Sequence, residues 1–237
     1  MIGAAFLPLA AQSDSPRIWW TFDEIADGKI NNSNADYPAA LNLVNVGSAP
    51  GRKGNAASFK GKNSFAFSRE LAREMALSGE RAWTISFWIK PETLKRRQKY
   101  ELISKGKDRG PGWRLYLSYG MLTFRIGGEE SQNIEPVAIH TSENKVKFVP
   151  DKWYNICMTR DDSGILTIYI NGIEMVGSEK KINIYPDYKT AFFLGNMQGK
   201  FYQYEGLIDE FKFYDRALTA VEILKEANPE SMLFEQL

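Results

Sequence analysis

From Arg17 to Tyr214 the chain alternates short apolar or aromatic segments with glycine-bearing and polar turns, the pattern of an all-β protein. The clearest segment is Ala82 to Lys90. There Trp83, Ile85, Phe87 and Ile89 fall on one face of a strand, and Thr84, Ser86 and Trp88 on the other. A large ring on the polar face makes Trp88 either a side chain packed beneath a loop or a platform for a ligand. Similar β-branched and aromatic enrichment predicts strands over Arg17 to Phe22, Ala57 to Phe59, Ser64 to Phe67, Tyr100 to Ser104, Trp113 to Ser118 and Met121 to Ile126. It predicts others over Lys145 to Phe148, Trp153 to Thr159, Ile165 to Ile170, Ala191 to Leu194 and Gly206 to Tyr214. Tyr119-Gly120 and Asp161-Asp162-Ser163-Gly164 read as hairpin joins, and Asn171-Gly172 as a tight turn after LTIYI.

Two places favour helix. Arg69 to Leu77 places Leu71, Met75 and Leu77 toward a common side. Thr219 and Glu222 have capping-box spacing ahead of VEILKEA, which would turn Val221, Leu224 and the stem of Lys225 toward a sheet edge before Asn228-Pro229 closes the segment. Many strands with two minor helices imply two packed sheets, because each sheet must bury one apolar face. No repeat or linker divides the chain, so residues 16–228 are expected to form one domain, followed by a C-terminal tail at 229–237. Residues 1–15 begin with the apolar run MIGAAFLPLAAQS and read as either a secretory leader remnant or an N-terminal tail.

Composition narrows the chemistry. The 237 residues carry Lys+Arg 30 against Asp+Glu 29, a balance that gives no bulk attraction for nucleic acid or an acidic membrane. No stretch after the first residues is long and apolar enough for membrane insertion. The single cysteine, Cys157, excludes an intrachain disulfide and a multi-thiolate zinc site; the single histidine, His140, excludes the HExxH arrangement. Cys157 reads as a small packed residue and His140 as part of a loop. There is no G-x-S-x-G elbow and no phosphate-loop spacing.

Six segments, in order, carry a family resemblance: WWTFDE (Trp19 to Glu24), GRKGNAASFKG (Gly51 to Gly61), WTISFWIKP (Trp83 to Pro91), WYNICMTRDDSGILTIYINGI (Trp153 to Ile173), FFLGN (Phe192 to Asn196) and GLIDEFKFYDRALTAVEI (Gly206 to Ile223). Together they resemble the concanavalin A-like, laminin G-like jelly-roll domains common in secreted bacterial proteins. The resemblance implies a sandwich of two antiparallel sheets, one concave, at an extracellular, periplasmic or cell-surface location. It also implies binding of a polysaccharide, a cell-surface glycan or a protein partner, often with a structural calcium. By this resemblance Asp23 and Asp209 match the family's cation-associated carboxylates, with Glu24, Glu210 and Asn32 as weaker additions; the competing reading has Asp23 and Asp209 accepting backbone hydrogen bonds at strand ends and Glu210 pairing with a nearby Arg or Lys. Asp209 and Glu210 are neighbours on a strand and would serve one site only across a bulge.

The same sandwich carries glycoside hydrolases and polysaccharide lyases. The Glu-x-Asp-x-x-Glu strand of laminarinase-like relatives is absent, since the chain contains no Glu-x-Asp. A lyase would draw on His140, a tyrosine, and arginines such as Arg114 and Arg125, which no local motif links. A non-catalytic carbohydrate-binding or adhesion module is therefore the leading expectation, with a secreted hydrolase or lyase as its alternative. Sugar recognition combines aromatic faces with amides and carboxylates. Tyr185, Tyr188, Tyr202 and Tyr204, with Asn196 and Gln203, are the candidate surface; Trp88, Trp113 and Tyr116 are concave-face alternatives. The basic run from Lys90 to Arg109 reads as a solvated loop or as a contact for an anionic polysaccharide.

Overall fold

A computed structural model of the chain describes residues 14–37, 39–107, 110–127, 137–141 and 146–228. The leader reading and the C-terminal tail fall largely or wholly outside them. The described residues form strands β1 (Ile18–Trp20), β2 (Lys29–Ile30), β3 (Leu41–Val44), β4 (Val46–Pro50), β5 (Asn55–Lys60), β6 (Phe65–Ser68), β7 (Trp83–Pro91) and β8 (Lys99–Gly106). There follow β9 (Gly112–Ser118), β10 (Met121–Ile126), β11 (Val137–His140), β12 (Tyr154–Arg160), β13 (Leu166–Ile170), β14 (Ile173–Gly177), β15 (Phe192–Leu194), β16 (Glu205–Tyr214) and helix α1 (Ala220–Ala227). The first sheet runs β14-β13-β12-β7-β16-β5-β4, with β1 also paired to β16; the second runs β11-β10-β9-β8-β15-β6-β3-β2. Packed face to face, the two antiparallel sheets make a jelly-roll sandwich.

Sequence alternation sets what lies between them. Trp83, Ile85, Phe87 and Ile89 of β7 are buried in the core, as their spacing requires. Trp20 stacks on Phe211 at 5.1 Å, and Phe211 in turn meets Phe87 at 5.9 Å and Phe192 at 5.6 Å, so rings from both sheets interlock at the centre. The hairpins form where expected: Tyr119-Gly120 joins β9 to β10 with φ of 53° and 77°, and Asn171-Gly172 joins β13 to β14 with φ of 52° and 78°.

Several expectations need correction. Arg69 to Leu77 is two short 3-10 turns, Glu70–Ala72 and Glu74–Ala76, ended by Leu77 at φ 52°. Burying Leu71 and Met75, and giving the Met75 carbonyl to the Trp113 indole N–H at 2.7 Å, outweighs regular helix here. The capping box at Thr219 forms, with Thr219 N–H to Glu222 Oε2 at 2.8 Å. The helix nevertheless turns Ile223 and Ala227 inward, leaving Val221 and Leu224 exposed. The described part of the predicted Lys145–Phe148 strand is irregular; Phe148 instead packs on the Tyr154 ring at 4.7 Å. His140 closes strand β11 rather than lying in a loop, with its Nδ1 at 2.9 Å from Thr123 Oγ1.

Candidate aromatic binding face

Adjacent residues of a strand point to opposite faces, so Phe192-Phe193 must send one ring inward and one outward. Phe192 enters the core. Phe193 faces out beside Phe67, its register partner on β6, and near Phe65 two residues along. The three half-buried rings form a near-equilateral triad, with centroids 6.1 Å apart for Phe65–Phe67, 6.0 Å for Phe65–Phe193 and 6.1 Å for Phe67–Phe193. Arg69, Lys189 and Gln198 rim this patch around an open depression of about 410 Å³. An apolar floor of mutually tilted rings with a few polar donors at its edge suits the C–H faces and hydroxyls of a sugar. Neither FAF nor FFL figured among the sequence candidates; the doubled Phe192-Phe193 was the available signal.

One buried cation holds the rim. Lys105 donates through Nζ to the carbonyls of Asp187 and of Thr190, the latter at 2.7 Å. Asp187 closes the same loop by accepting the N–H groups of Lys189 and Thr190 at 2.8 and 2.9 Å and the Thr190 hydroxyl at 2.5 Å. Those bonds hold the Asp187 carboxyl below its usual range against the opposing effect of burial, while burial lowers Lys105.

The face continues beyond the triad. Phe193 pairs with Ser104, Ser104 with Arg114, and Arg114 with Arg125; the neighbouring row runs Glu101, Tyr116, Thr123, His140. Tyr202 joins Tyr116 here, and Lys99 lies 5.2 and 5.5 Å from their two rings, with Arg114 at 5.3 and 5.7 Å. Thus the tyrosine, histidine and arginines that local sequence could not connect share one sheet face. Arg114 is buried and directed at Glu101, 3.6 Å away, and at Met197 Sδ, while Tyr116 is also buried. That packing suits a braced scaffold better than exposed acid–base machinery.

Other sequence candidates have structural positions. Trp113 and Tyr204 lie in the core, with the Tyr204 hydroxyl donating to the Leu207 carbonyl at 3.2 Å, so neither ring presents a surface. Asn196 is buried and accepts the Gly199 N–H at 2.9 Å, shaping the turn beneath Phe65. Gln203 is half-buried and donates to the Lys200 carbonyl at 2.6 Å. Tyr188 is exposed with its hydroxyl 3.0 Å from Ser78, and half-buried Tyr185 accepts the Gly112 N–H through its carbonyl at 2.8 Å. Trp88 belongs to the outer face of the first sheet, where the Arg52 guanidinium lies 4.9 Å from its ring and the side chain is buried.

Of the carboxylates proposed for calcium, Asp209 is the register partner of Trp88. A register shift between Asp209 and Lys212, with Glu210 at φ 50°, supplies the bulge that the neighbouring pair would need. Asp209 Oδ2 accepts the N–H groups of Arg52 and Lys53 at 2.7 and 3.1 Å, and Oδ1 accepts that of Glu210 at 2.8 Å. Asp23 Oδ1 accepts Asn55 N–H at 2.9 Å. Gly51 and Gly54 permit this approach: a Cβ on Gly51 would meet Asp209 Oδ2 at 2.6 Å, and one on Gly54 would meet Asp23 Oδ1 at 1.9 Å. Asn32 Oδ1 accepts Trp19 N–H at 2.7 Å, while its amide nitrogen donates to the carbonyls of Arg17 and Tyr37. Glu210 Oε2 accepts the Trp19 indole at 3.1 Å and lies 3.8 Å from Lys212 Nζ. Calcium takes about six to eight oxygens. Here the main oxygens are filled by N–H donors, ammonium groups stand beside them, and no three acidic or metal-ligating residues converge among the described residues. Glu210 Oε1 has no hydrogen-bond partner, and Glu24 is exposed.

Comparisons with known proteins agree with this architecture. A sequence profile of the concanavalin A-like lectin/glucanases superfamily matches residues 59–224. Botulinum neurotoxin type X of Clostridium botulinum is 27% identical over 220 residues, covering 85% of this chain and 15% of the toxin. Among solved structures, the binding domain of botulinum neurotoxin serotype G superposes with a TM-score of 0.70 at 17% identity, over 92% of this chain and 51% of that one. Domain 4 of a GH43 extracellular arabinanase from Geobacillus stearothermophilus, solved in complex with arabinotriose, superposes with a TM-score of 0.66 at 21% identity, over 90% of this chain and 98% of that one. The structural likenesses are likenesses of fold, and the chain spans a small part of the type X neurotoxin and about half of the solved serotype G binding domain.

Proposed function

We propose that this chain, which belongs to the concanavalin A-like lectin/glucanases superfamily, is a non-catalytic glycan-binding module working at a cell surface or outside the cell. The observation that carries this reading is the outward Phe65–Phe67–Phe193 triad, rimmed by Arg69, Lys189 and Gln198. Three rings present an apolar floor, and the cationic and amide rim supplies donors for hydroxyl groups. The arabinotriose-bound domain of similar fold supports an oligosaccharide as the ligand class, and the binding domain of the serotype G neurotoxin supports recognition rather than chemistry. Calcium has no part in this reading.

A lyase is the competing reading, favoured by the Tyr116–Thr123–His140 row beside Arg114 and Arg125. Burial of Tyr116 and Arg114 counts against it. Titration of the full chain with a panel of neutral oligosaccharides, arabinotriose among them, tests the module reading against Phe67→Ala and Phe193→Ala. Saturable binding by the parent, lost in both variants while the fold is kept, is the expected result. Absence of binding across the panel overturns the triad as a glycan site, and accumulation of an unsaturated uronate from an acidic polysaccharide would establish the lyase instead.

A further inference from the structure

We propose a second ligand site, separate from the phenylalanine triad, that takes the carboxylate or sulfate group of an acidic glycan. The turn after β7 places Lys95 and Arg96 on a pocket of about 370 Å³, and the segment before β12 brings Lys147 to the same pocket. Residues far apart in the chain are therefore concentrated at one opening. Tyr100 and Phe148 are buried in its lining, while Tyr119 stands exposed at the β9–β10 hairpin.

Both cation-bearing segments are fixed by tyrosine hydroxyls. Tyr100 accepts the Lys95 N–H at 2.8 Å. The Tyr154 hydroxyl accepts the Val149 N–H at 3.0 Å and donates to the Lys147 carbonyl at 3.4 Å, while its ring packs against Phe148 at 4.7 Å. The backbone beneath the three cations is consequently set before any ligand arrives, which lowers the ordering cost of binding.

The chemistry of the lining selects the ligand. Among the described residues no carboxylate lines the pocket, and the ion pairs found elsewhere do not use Lys95, Arg96 or Lys147. Like charges around a concavity focus a positive potential, and an arginine fork matches the paired oxygens of a carboxylate or sulfate. The volume is that of an organic ligand rather than of a small inorganic anion. Tyr119 adds a ring for the C–H face of a sugar, while Gln98 and Ser118 offer polar groups for hydroxyls. An acidic sugar uses all of these features together. The inference does not depend on the triad, because the two depressions have no lining residue in common.

The decisive experiment titrates the full chain with a galacturonate hexamer, a sulfated galactan hexamer, neutral cellohexaose and phosphatidylserine vesicles, at low and high salt. The triple variant Lys95→Ala/Arg96→Ala/Lys147→Ala alters exposed side chains, and its melting curve establishes that it folds. Binding of either acidic hexamer, weakened ~10-fold or more by salt and by the triple substitution but unchanged in Phe193→Ala, is expected. Failure of both acidic hexamers to bind, or equal binding by the triple variant, overturns the site. Loss of acidic binding in Phe193→Ala would assign the ligand to the triad and overturn its separateness. Preference for phosphatidylserine vesicles over both hexamers would overturn the glycan assignment, whereas failure of neutral sugars would count only against the triad reading.

Discussion

Asp209 accepts the main-chain N–H of Arg52 at 2.7 Å, tying the bulged strand β16 to the turn that opens GRKGNAASFKG. Lys53 N–H and Glu210 N–H share the same carboxylate. An oxygen already bonded by amide hydrogens is a poor partner for a hard cation, since both compete for its lone pairs. Melting temperatures measured in EDTA and in millimolar calcium should therefore agree, and a substantial upward shift with calcium would show that the cluster rearranges around the ion.

The same carboxyl should leave a mark on pH dependence. Burial pushes Asp209 up to about 7, against the lowering effect of its backbone N–H partners. A carboxyl with a native pKa above its unfolded value holds its proton more tightly when folded. Its contribution is thus present below an unfolded value of 3.8 and lost as the pH climbs through about 7. Asp209→Asn should flatten this part of the stability curve by up to about 1.4 kcal/mol per pH unit. Glu210, also raised chiefly by burial, retains a slope of the same sign. Urea unfolding of parent and variant across this range is the measurement; identical slopes would show that Asp209 titrates alike in both states.

Neighbouring phenylalanines should separate stability from recognition. Phe192 is fully buried among Trp20, Trp113 and Phe211, so Phe192→Ala should cost about 3–5 kcal/mol through lost burial and a cavity. Phe193 is only partly buried, and its replacement should cost clearly less while removing the glycan floor. Denaturation and oligosaccharide titration of the two variants should give opposite rankings. A Phe193→Ala protein that binds neutral sugars as the parent does would remove the triad from the function.

Most of the fold was legible because alternation has one solution in a two-sheet sandwich. Trp83, Ile85, Phe87 and Ile89 had to face a core, and Tyr119-Gly120 had to reverse the chain. The site was less legible because residue type does not say which face of a strand is the outer one. Trp113 and Tyr204 have sugar-binding chemistry but point inward, whereas the plainer Phe193 points out. Glu210 moved onto the side of Asp209 only through a bulge that depends on tertiary pairing. The helical spacing of Arg69 to Leu77 was likewise overruled by the Trp113 bond to Met75 and by burial of Leu71.

Lys105 supplies a test of how the rim is held. Its side chain is fully buried, and its ammonium serves the Asp187 and Thr190 carbonyls of the segment that carries Lys189 to the triad. Lys105→Met keeps much of the stem's packing but removes the charge-assisted donors, leaving two carbonyls to find water or another partner. The expected loss is about 2–4 kcal/mol in urea unfolding, together with weaker neutral-sugar binding because Lys189 and Thr190 no longer share a fixed loop. Binding at the Lys95–Arg96–Lys147 pocket should be unchanged, since Lys105 does not line it. A variant with parental stability and parental sugar affinity would show that Asp187, through its own bonds to Lys189 and Thr190, suffices to shape the rim.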